Sequence, residues 1–268
     1  MLSNCAHRSI ERSKNVTYTQ DDKFHENVRT LNIFAPSKRV RACNVFIFVH
    51  GGSWNSGKKS HYNFLGGRMA RKNVVTVIIN YPLSPQARFN EMATAVAKSV
   101  FWVKENIGQY GGDSDAIFLS GHSAGGHLAA LVSLQDEYFD SLNIPNPIKG
   151  AILIDAAGLD MYGYLSEEKF QDDHSYLKTF TKNPREWKKA SPLYHLHRDM
   201  PELLIYRGQK TYPSIVKSHD KFVAALREYN PSPRYYVLKN KKHVGMITQF
   251  FRTKNPPFKE IIAFMDEH

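Results

Sequence analysis

The segment AIFLSGHSAGGHLAALVSL, residues 116–134, is the most informative part of the sequence about the fold. It opens with an apolar run of strand length, Ala116 to Leu119, and passes through a turn flanked by glycines. It then continues from about Ser123 to Leu134 as an apolar stretch of helical length. A continuous apolar run without alternation is typical of a strand buried on both faces. The segment therefore predicts a central strand that turns sharply into a buried helix.

Strands and helices alternate on both sides of this segment. The first two strand patterns alternate apolar and polar residues, and the later ones are continuously apolar. This order predicts an α/β fold with a mostly parallel sheet, an antiparallel N-terminal edge and helices on both faces. The patterns indicate about eight strands, at 16–19, 28–34, 45–49, 74–80, 116–120, 151–154, 203–206 and 235–238, with helices at 61–72, 92–106, 123–134, 214–229 and around 261–265.

A single domain is expected over residues 1–268, because no linker or change of composition divides the chain. Residues 161–200 follow the sixth strand and are rich in aromatic and charged side chains. The segment is too long for a plain connecting loop. It is interpreted either as a lid or substrate-pocket insertion or as a structural satellite helix.

The turn after the fifth strand carries a candidate nucleophile. Gly121-His122-Ser123-Ala124-Gly125 matches the pattern G-x-S-x-G between a buried strand and a helix, as a nucleophile elbow requires. Such a turn presents the serine hydroxyl above the carboxyl edge of the sheet, at the positive end of a helix. The alternative is that Ser123 only caps the helix. We expect Ser123 to be the nucleophile.

The loop after the third strand is a candidate oxyanion hole. His50-Gly51-Gly52-Ser53-Trp54 begins where that strand ends, and glycines allow the main chain to approach a substrate closely. This loop and the serine turn follow parallel strands and should meet at one sheet edge. The predicted oxyanion donors are the backbone N–H groups of Gly51, Gly52 and Ala124. A plain glycine turn is the alternative.

The candidate general base is His243. It follows the last predicted strand after the short loop 239–242, which is where a histidine belongs in the chain order serine, acid, histidine. Other histidines downstream of Ser123, such as His195 and His219, lie in the insertion or in a predicted helix.

Composition excludes several other classes of protein. Hydrophobic residues make up 42% and charged residues 23% of the chain, which is ordinary for a globular protein. The longest apolar runs are too short to span a membrane, and the spacings typical of metal sites are absent. The net charge of +11 would suit a nucleic-acid partner, but the basic residues are scattered and a solvated basic surface is the preferred interpretation. The two cysteines, Cys5 and Cys43, form no disulfide framework.

Five short motifs stand out in the sequence. They are His50-Gly51-Gly52-Ser53-Trp54, Asn80-Tyr81-Pro82-Leu83-Ser84-Pro85, Tyr110-Gly111-Gly112-Asp113, residues 121–127, and Ala190-Ser191-Pro192 before Met200-Pro201. These motifs resemble the α/β-hydrolase family, in particular the hormone-sensitive-lipase and kynurenine-formamidase branch with its bacterial esterase relatives. The similarity covers nearly the whole chain from about residue 28. It implies an α/β-hydrolase fold with an insertion after the sixth strand.

The chain departs from this family at the acid. The family usually carries an aspartate in G-x-x-D after the penultimate strand, and here Thr211 stands at that position. The nearby carboxylates Asp220 and Glu228 fall inside a predicted helix, where they are poorly placed to orient His243. The end of the sixth strand offers Asp155 and Asp160. We choose Asp160, because Gly158-Leu159-Asp160 resembles the turn that presents the acid in pancreatic-type lipases; Asp155, or no acid at all, remains open.

The resemblance implies a serine hydrolase that cleaves short-chain or aryl carboxylic esters through an acyl-enzyme. It would act on a small molecule and need no cofactor or metal. The alternatives are an arylformamidase-like amide hydrolase and a catalytically impaired scaffold that binds a ligand or partner, which Thr211 favours. The polar N-terminus shows no signal peptide, but a removed leader would leave no trace, so a cytoplasmic and a secreted location both stay open. The oligomeric state also stays open.

Overall fold

One eight-stranded sheet forms the centre of the protein in a computed structural model that describes residues 9–20, 23–39 and 41–268. The strand order across the sheet is β1-β2-β4-β3-β5-β6-β7-β8. The strands are β1 (Ile10–Thr17), β2 (Thr30–Pro36), β3 (Cys43–Val49), β4 (Val75–Ile79), β5 (Gly112–His122), β6 (Ile148–Ile154), β7 (Glu202–Gly208) and β8 (Arg234–Leu238).

The pairing directions confirm the predicted sheet. β1 pairs antiparallel with β2 and β2 antiparallel with β4, whereas all pairs from β4 to β8 are parallel. The predicted start of the first strand was wrong, since β1 begins at Ile10 rather than Val16. Residues 10–15 are mostly polar, and this edge strand is held by backbone pairing with β2 rather than by burial, so its hydrophobic pattern is weak.

Helices cover both faces of the sheet. On one face, β-strand side chains pack with residues of α2, α3 and α8 around Val96, Leu128 and Phe222. On the other face they pack with α1, α9 and α10 around Met69 and Ile261. The helices are α1 (Asn63–Ala70), α2 (Phe89–Asn106), α3 (Ala124–Ser133), α4 (Glu137–Asp140), α5 (Met161–Glu167), α6 (Ser175–Phe180), α7 (Pro184–Lys189), α8 (Pro213–Leu226), α9 (His243–Thr248) and α10 (Pro256–Glu267).

The segment between β6 and β7 contains three short helices, α5, α6 and α7, rather than a single satellite helix. Aromatic contacts link it to the loop after β3. Trp54 packs edge-on against the rings of Tyr176 and Phe180, at centroid distances of 5.6 and 5.0 Å. The insertion therefore lies against the carboxyl edge of the sheet. Within the described ranges no helix is long and apolar enough to cross a membrane. The predictions for Cys5 and the polar N-terminus fall outside the described residues.

The start of α3 approaches the central strands backbone to backbone. A methyl group added at Gly125 would lie 2.1 Å from the carbonyl oxygen of Val49 and 2.5 Å from that of His50. One added at Gly121 would lie 2.2 Å from the carbonyl oxygen of Gly125. These distances leave no room for any side chain, so the glycines of the G-x-S-x-G pattern allow helix and strand to meet.

Gly125→Ala is therefore expected to destabilise the protein by about 1–3 kcal/mol or more, because rigid backbone atoms must move to admit the methyl group. Gly108→Ala is the matched control, since an added Cβ there has no neighbour within 4 Å. The control should leave stability unchanged or raise it by about 0.4–1 kcal/mol. Urea unfolding of both variants measures the difference, and equal unfolding free energies for Gly125→Ala and the parent would contradict this packing.

Candidate active site

Ser123 occupies the turn between β5 and α3 in a strained conformation. Its φ of 57° and ψ of −123° lie in a region that non-glycine residues rarely adopt. The turn is held by three backbone hydrogen bonds: the Ser123 N–H donates to Ile154 at 3.2 Å, and its carbonyl accepts from His127 and Ala157. The strain is thus supported by both neighbouring elements, and it leaves the Ser123 hydroxyl at the carboxyl edge of the sheet.

The imidazole of His243 lies beside this hydroxyl. His243 is the first residue of α9, directly after the loop that follows β8. Its Nε2 lies 2.9 Å from Ser123 Oγ, within hydrogen-bond distance. The structure thus brings together the two side chains that the sequence proposes as nucleophile and base.

Asp155 completes the hydrogen-bond chain. Its Oδ2 lies 2.6 Å from His243 Nδ1, and its side chain is fully buried. Oδ1 accepts the backbone N–H of Gly208 at 2.7 Å, and Oδ2 also accepts the Thr211 hydroxyl at 2.5 Å. A carboxylate only accepts, so His243 Nδ1 carries the proton in this bond and Nε2 is free to accept a proton from the serine.

The ionised form of Asp155 is stabilised despite its burial. Burial by itself would raise the pKa of this carboxyl group, but the hydrogen bonds from His243, Thr211 and Gly208 together hold the pKa below its usual value. The site therefore contains a buried negative charge directly behind the imidazole, where it can stabilise a protonated histidine.

The choice of Asp160 as the acid is corrected by this geometry. Asp160 caps the N-terminus of α5, with Oδ1 accepting the Gly163 N–H at 2.8 Å. Its Oδ2 forms an ion pair with Lys221 at 2.6 Å. Both oxygens serve the attachment of α5 to α8, and the resemblance of the Gly158-Leu159-Asp160 turn to a lipase turn misled the assignment.

Strand neighbours explain how a candidate acid that follows β6 can reach His243, although the resemblance leads one to expect the acid after β7. The two strands are adjacent and parallel, with Ile154 paired to Tyr206. The Asp155 N–H donates to the Tyr206 carbonyl at 2.7 Å, which places the aspartate beside the turn that contains Thr211. The sequence signal for Asp155 was its position immediately after the apolar run of β6. Ser123 has the equivalent position immediately after β5.

His122 is a site residue that sequence analysis missed. This residue, the first variable position of the G-x-S-x-G pattern, is buried, and its ring centroid lies 4.6 Å from that of His243. Burial lowers the pKa of His122 to about 4, so the ring is neutral at pH 7. Its Nε2–H donates to the His243 carbonyl at 3.2 Å, which anchors the backbone of the candidate base.

The loop after β3 lies close to the candidate nucleophile Ser123. A Cβ at Gly51 would lie 3.2 Å from Ser123 Cβ, and Ala124 directly follows the serine at the buried start of α3. Gly52, Ser53 and Trp54 all have positive φ values, 135°, 50° and 60°. The loop thus turns tightly over the serine, and the assignment of the Gly51, Gly52 and Ala124 amides as oxyanion donors stays a prediction.

A buried histidine ties this loop to the insertion. Trp54 Nε1–H donates to His127 Nδ1 at 3.1 Å, and His127 Nε2–H donates to the Ala190 carbonyl at 2.7 Å. Burial lowers the pKa of His127 to about 4, which keeps the ring neutral, as this pair of hydrogen bonds requires. His127 therefore links the strained loop, α3 and the end of the insertion.

An open cavity of about 470 Å³ lies over Ser123 and His243. The insertion contributes Tyr164, Glu168 and Tyr176 to its walls, and the interpretation of residues 161–200 as a lid or substrate-pocket insertion stays a prediction. No group of three or more described His, Cys, Asp or Glu side chains is arranged to hold a metal ion. The remaining lining residues are Ser53, Trp54, Ala157, Tyr212, Pro213, Ser214 and Ile215.

Comparison with known proteins places this geometry in a family. The BD-FAE family model matches residues 31–221. The chain is 32% identical over 236 residues to the esterase LipQ of Mycobacterium tuberculosis, covering 82% of this chain and 54% of LipQ. It is 23% identical to a probable isoprenylcysteine alpha-carbonyl methylesterase of Oryza sativa subsp. japonica, covering 82% of this chain and 56% of that protein. The chain spans about half the length of these relatives.

Solved structures show the same fold. A truncated carbohydrate esterase from gut microbiota superposes with a TM-score of 0.83 at 19% identity, covering 97% of this chain and 96% of that one. Esterase B from Lactobacillus rhamnosis superposes with a TM-score of 0.78 at 18% identity, covering 97% and 86%. The chain has the α/β-hydrolase fold that its motifs predict.

Replacing Asp155 should suppress the reactivity of Ser123. We expect Asp155→Asn to slow labelling of Ser123 by a fluorophosphonate about 10³- to 10⁴-fold, since the amide no longer holds the imidazole in the required tautomer. Asp160→Asn is the matched control, and its labelling rate should stay within about tenfold of the parent because it alters only the α5 cap and an ion pair. Equal losses in the two variants would contradict the role of Asp155.

Trp54→Phe should destabilise the protein by about 1–3 kcal/mol, because it leaves the buried His127 Nδ1 without its donor. Trp102→Phe serves as the control, since the half-buried Trp102 lies on α2 and packs against Tyr110, just beyond the end of that helix. Urea unfolding compares the two variants. A Trp54→Phe loss no larger than that of Trp102→Phe would show that the Trp54–His127 bond does not stabilise the loop.

Proposed function

The chain belongs to the BD-FAE family, and we propose that it is a serine hydrolase that cleaves short-chain or aryl carboxylic esters through an acyl-enzyme. The observation that carries this proposal is the continuous hydrogen-bond chain from Ser123 Oγ through His243 to Asp155. Relatives named as esterases, over most of this chain, support the ester as the bond that is cleaved.

Each step of the proposed reaction uses a group at the edge of the sheet. Ser123 Oγ attacks the ester carbonyl carbon while His243 Nε2 takes the hydroxyl proton. The tetrahedral intermediate then breaks its bond to the alcohol oxygen, which receives that proton from His243. Water then attacks the acyl-enzyme while His243 Nε2 takes one of its protons. The bond between the acyl carbon and Ser123 Oγ breaks, Oγ receives that proton from His243, and the carboxylic acid is released. Asp155 stabilises the imidazolium in both halves, and the proposal requires no metal or organic cofactor.

The negative charge that develops on the carbonyl oxygen is best stabilised by hydrogen-bond donors that are already in position before the reaction. We assign them to the backbone N–H groups of Gly51, Gly52 and Ala124. The proposal is supported by the closeness of Gly51 to Ser123 and by the position of Ala124 at the first turn of α3, where the helix dipole is positive. Because the supporting bond between Trp54 and His127 is buried, the loop needs little reorganisation during the reaction.

The cavity indicates the size and character of the substrate. Its volume of about 470 Å³ falls in the usual range for small-molecule sites and gives room for a short or aromatic acyl group. Tyr164, Tyr176 and Tyr212 supply aromatic walls with polar edges. These walls favour a flat or ring-bearing ester over a long flexible acyl chain.

The two alternatives have less support. A catalytically impaired scaffold was suggested by Thr211 at the usual acid position, but Asp155 supplies a buried carboxylate to His243. An arylformamidase-like amide hydrolase would use the same side chains, and the relatives' names favour esters. Hydrolysis rates for a matched aryl ester and N-formyl aryl amide separate these two chemistries.

Turnover of a short-chain aryl ester tests the proposal, with the parent protein beside Ser123→Ala. We expect the parent to hydrolyse the ester and Ser123→Ala to lose about 10⁶-fold in kcat, since no other group can form the acyl-enzyme. Equal rates in the two proteins would overturn the assignment of the nucleophile. Absence of turnover across a panel of acetyl, butyryl and aryl esters would instead favour the binding scaffold.

A further inference from the structure

The position where related enzymes carry their acid is occupied here by a hydroxyl that touches the relocated acid. We propose that Thr211 is a positioning residue whose hydroxyl shares Asp155 Oδ2 with His243 and so sets how strongly the carboxylate holds the protonated histidine. The inference rests on the proposed function, because it assigns to Thr211 a part in the action of His243 as the base.

The turn that carries Thr211 is fixed to the loop that directly precedes His243. The Lys210 N–H donates to the Lys241 carbonyl at 2.8 Å, and the Gln209 N–H donates to the Leu238 carbonyl at 3.0 Å. The Gln209 side chain in turn accepts the Asn240 N–H at 2.9 Å. Thr211 and His243 therefore keep a fixed separation.

Two donors converge on one carboxylate oxygen. Thr211 Oγ1 lies 2.5 Å and His243 Nδ1 lies 2.6 Å from Asp155 Oδ2. Thr211 Oγ1 and His243 Nδ1 are 3.5 Å apart, which is too far for a strong bond between them. A hydroxyl has one proton, and the charged carboxylate is the stronger acceptor, so the Thr211 hydroxyl donates to Asp155.

The sharing of Asp155 Oδ2 by two donors changes how strongly the carboxylate attracts the imidazolium of His243. Each hydrogen bond to a carboxylate oxygen reduces the negative charge that this oxygen presents to a second donor. The Thr211 hydroxyl therefore stabilises the ionised Asp155 in its buried position while it weakens the attraction of that charge for the imidazolium. Without the hydroxyl, Oδ2 would have His243 as its sole side-chain donor, and the imidazolium would be held more tightly.

Other titratable and charged groups face this pair but stay constant when residue 211 is changed. His122 stacks against His243, and the Tyr212 ring centroid lies 5.0 Å from that of His243. The groups behind Asp155 and beside the histidine loop are His219, Arg207, Asp220, Tyr235, Lys241 and Lys242. A comparison of variants at position 211 therefore isolates the hydroxyl.

Thr211→Val removes the hydroxyl at nearly constant volume, and Thr211→Ser keeps it. We expect the acidic limb of the kcat/KM pH profile to move to higher pH by about one pH unit in Thr211→Val, because a hydrogen bond to a charged group is lost. Thr211→Ser should retain the parent profile. A purely packing role for Thr211 would lower the rate without moving the limb, and an unmoved or oppositely moved limb in Thr211→Val overturns the proposal.

A second readout does not depend on turnover. The low-field NMR resonance of the His243 Nδ1 proton should move further downfield in Thr211→Val and stay in place in Thr211→Ser, since the remaining hydrogen bond strengthens. If the parent hydrolyses no ester, the proposed function fails, and this resonance alone decides whether Thr211 acts on the Asp155–His243 bond. An identical resonance in parent and Thr211→Val contradicts the sharing of Oδ2.

Discussion

The rest of the site depends on one close contact, the approach of the first turn of α3 to the end of β3 at Gly125. The helix can meet the strand backbone only because this position and Gly121 lack side chains. The chain between them is forced through a tight turn, and Ser123 takes the strained conformation that presents its hydroxyl. The same contact brings the loop of Gly51 over the serine. One steric constraint therefore places both the candidate nucleophile and the backbone proposed to stabilise the oxyanion.

Parallel strands make the remaining groups converge. Because β5, β6 and β7 run side by side in one direction, the residues that follow them lie at one edge of the sheet. A side chain with a given role can therefore follow either of two neighbouring strands without a change of fold. Asp155 after β6 and Thr211 after β7 meet on the same side of His243. The candidate acid Asp155 and the threonine at the expected acid position therefore belong to one hydrogen-bond network, in which Thr211 contacts the carboxylate.

Most of the fold and part of the candidate site could be predicted from sequence patterns. The succession of strands along the chain and the positions of Ser123 and His243 could be predicted, because apolar runs mark buried strands and each candidate residue lies in the turn or short loop that follows one of them. Asp160 was chosen over Asp155 because a tripeptide resemblance cannot show that Lys221 and the α5 N-terminus occupy its oxygens. The start of β1 and the roles of His122 and His127 depend on backbone pairing and on tertiary hydrogen bonds, which leave no periodic signal in the sequence.

In the proposed reaction Ser123, activated through His243 and Asp155, forms a covalent acyl-enzyme. Acid quenching during turnover of an aryl ester, followed by peptide mass spectrometry, detects this intermediate. We expect the acyl group on the peptide that contains Ser123, and no acyl group when Ser123 is replaced by alanine. Turnover with an unmodified Ser123 throughout, or an acyl group on another residue, would contradict the proposed reaction.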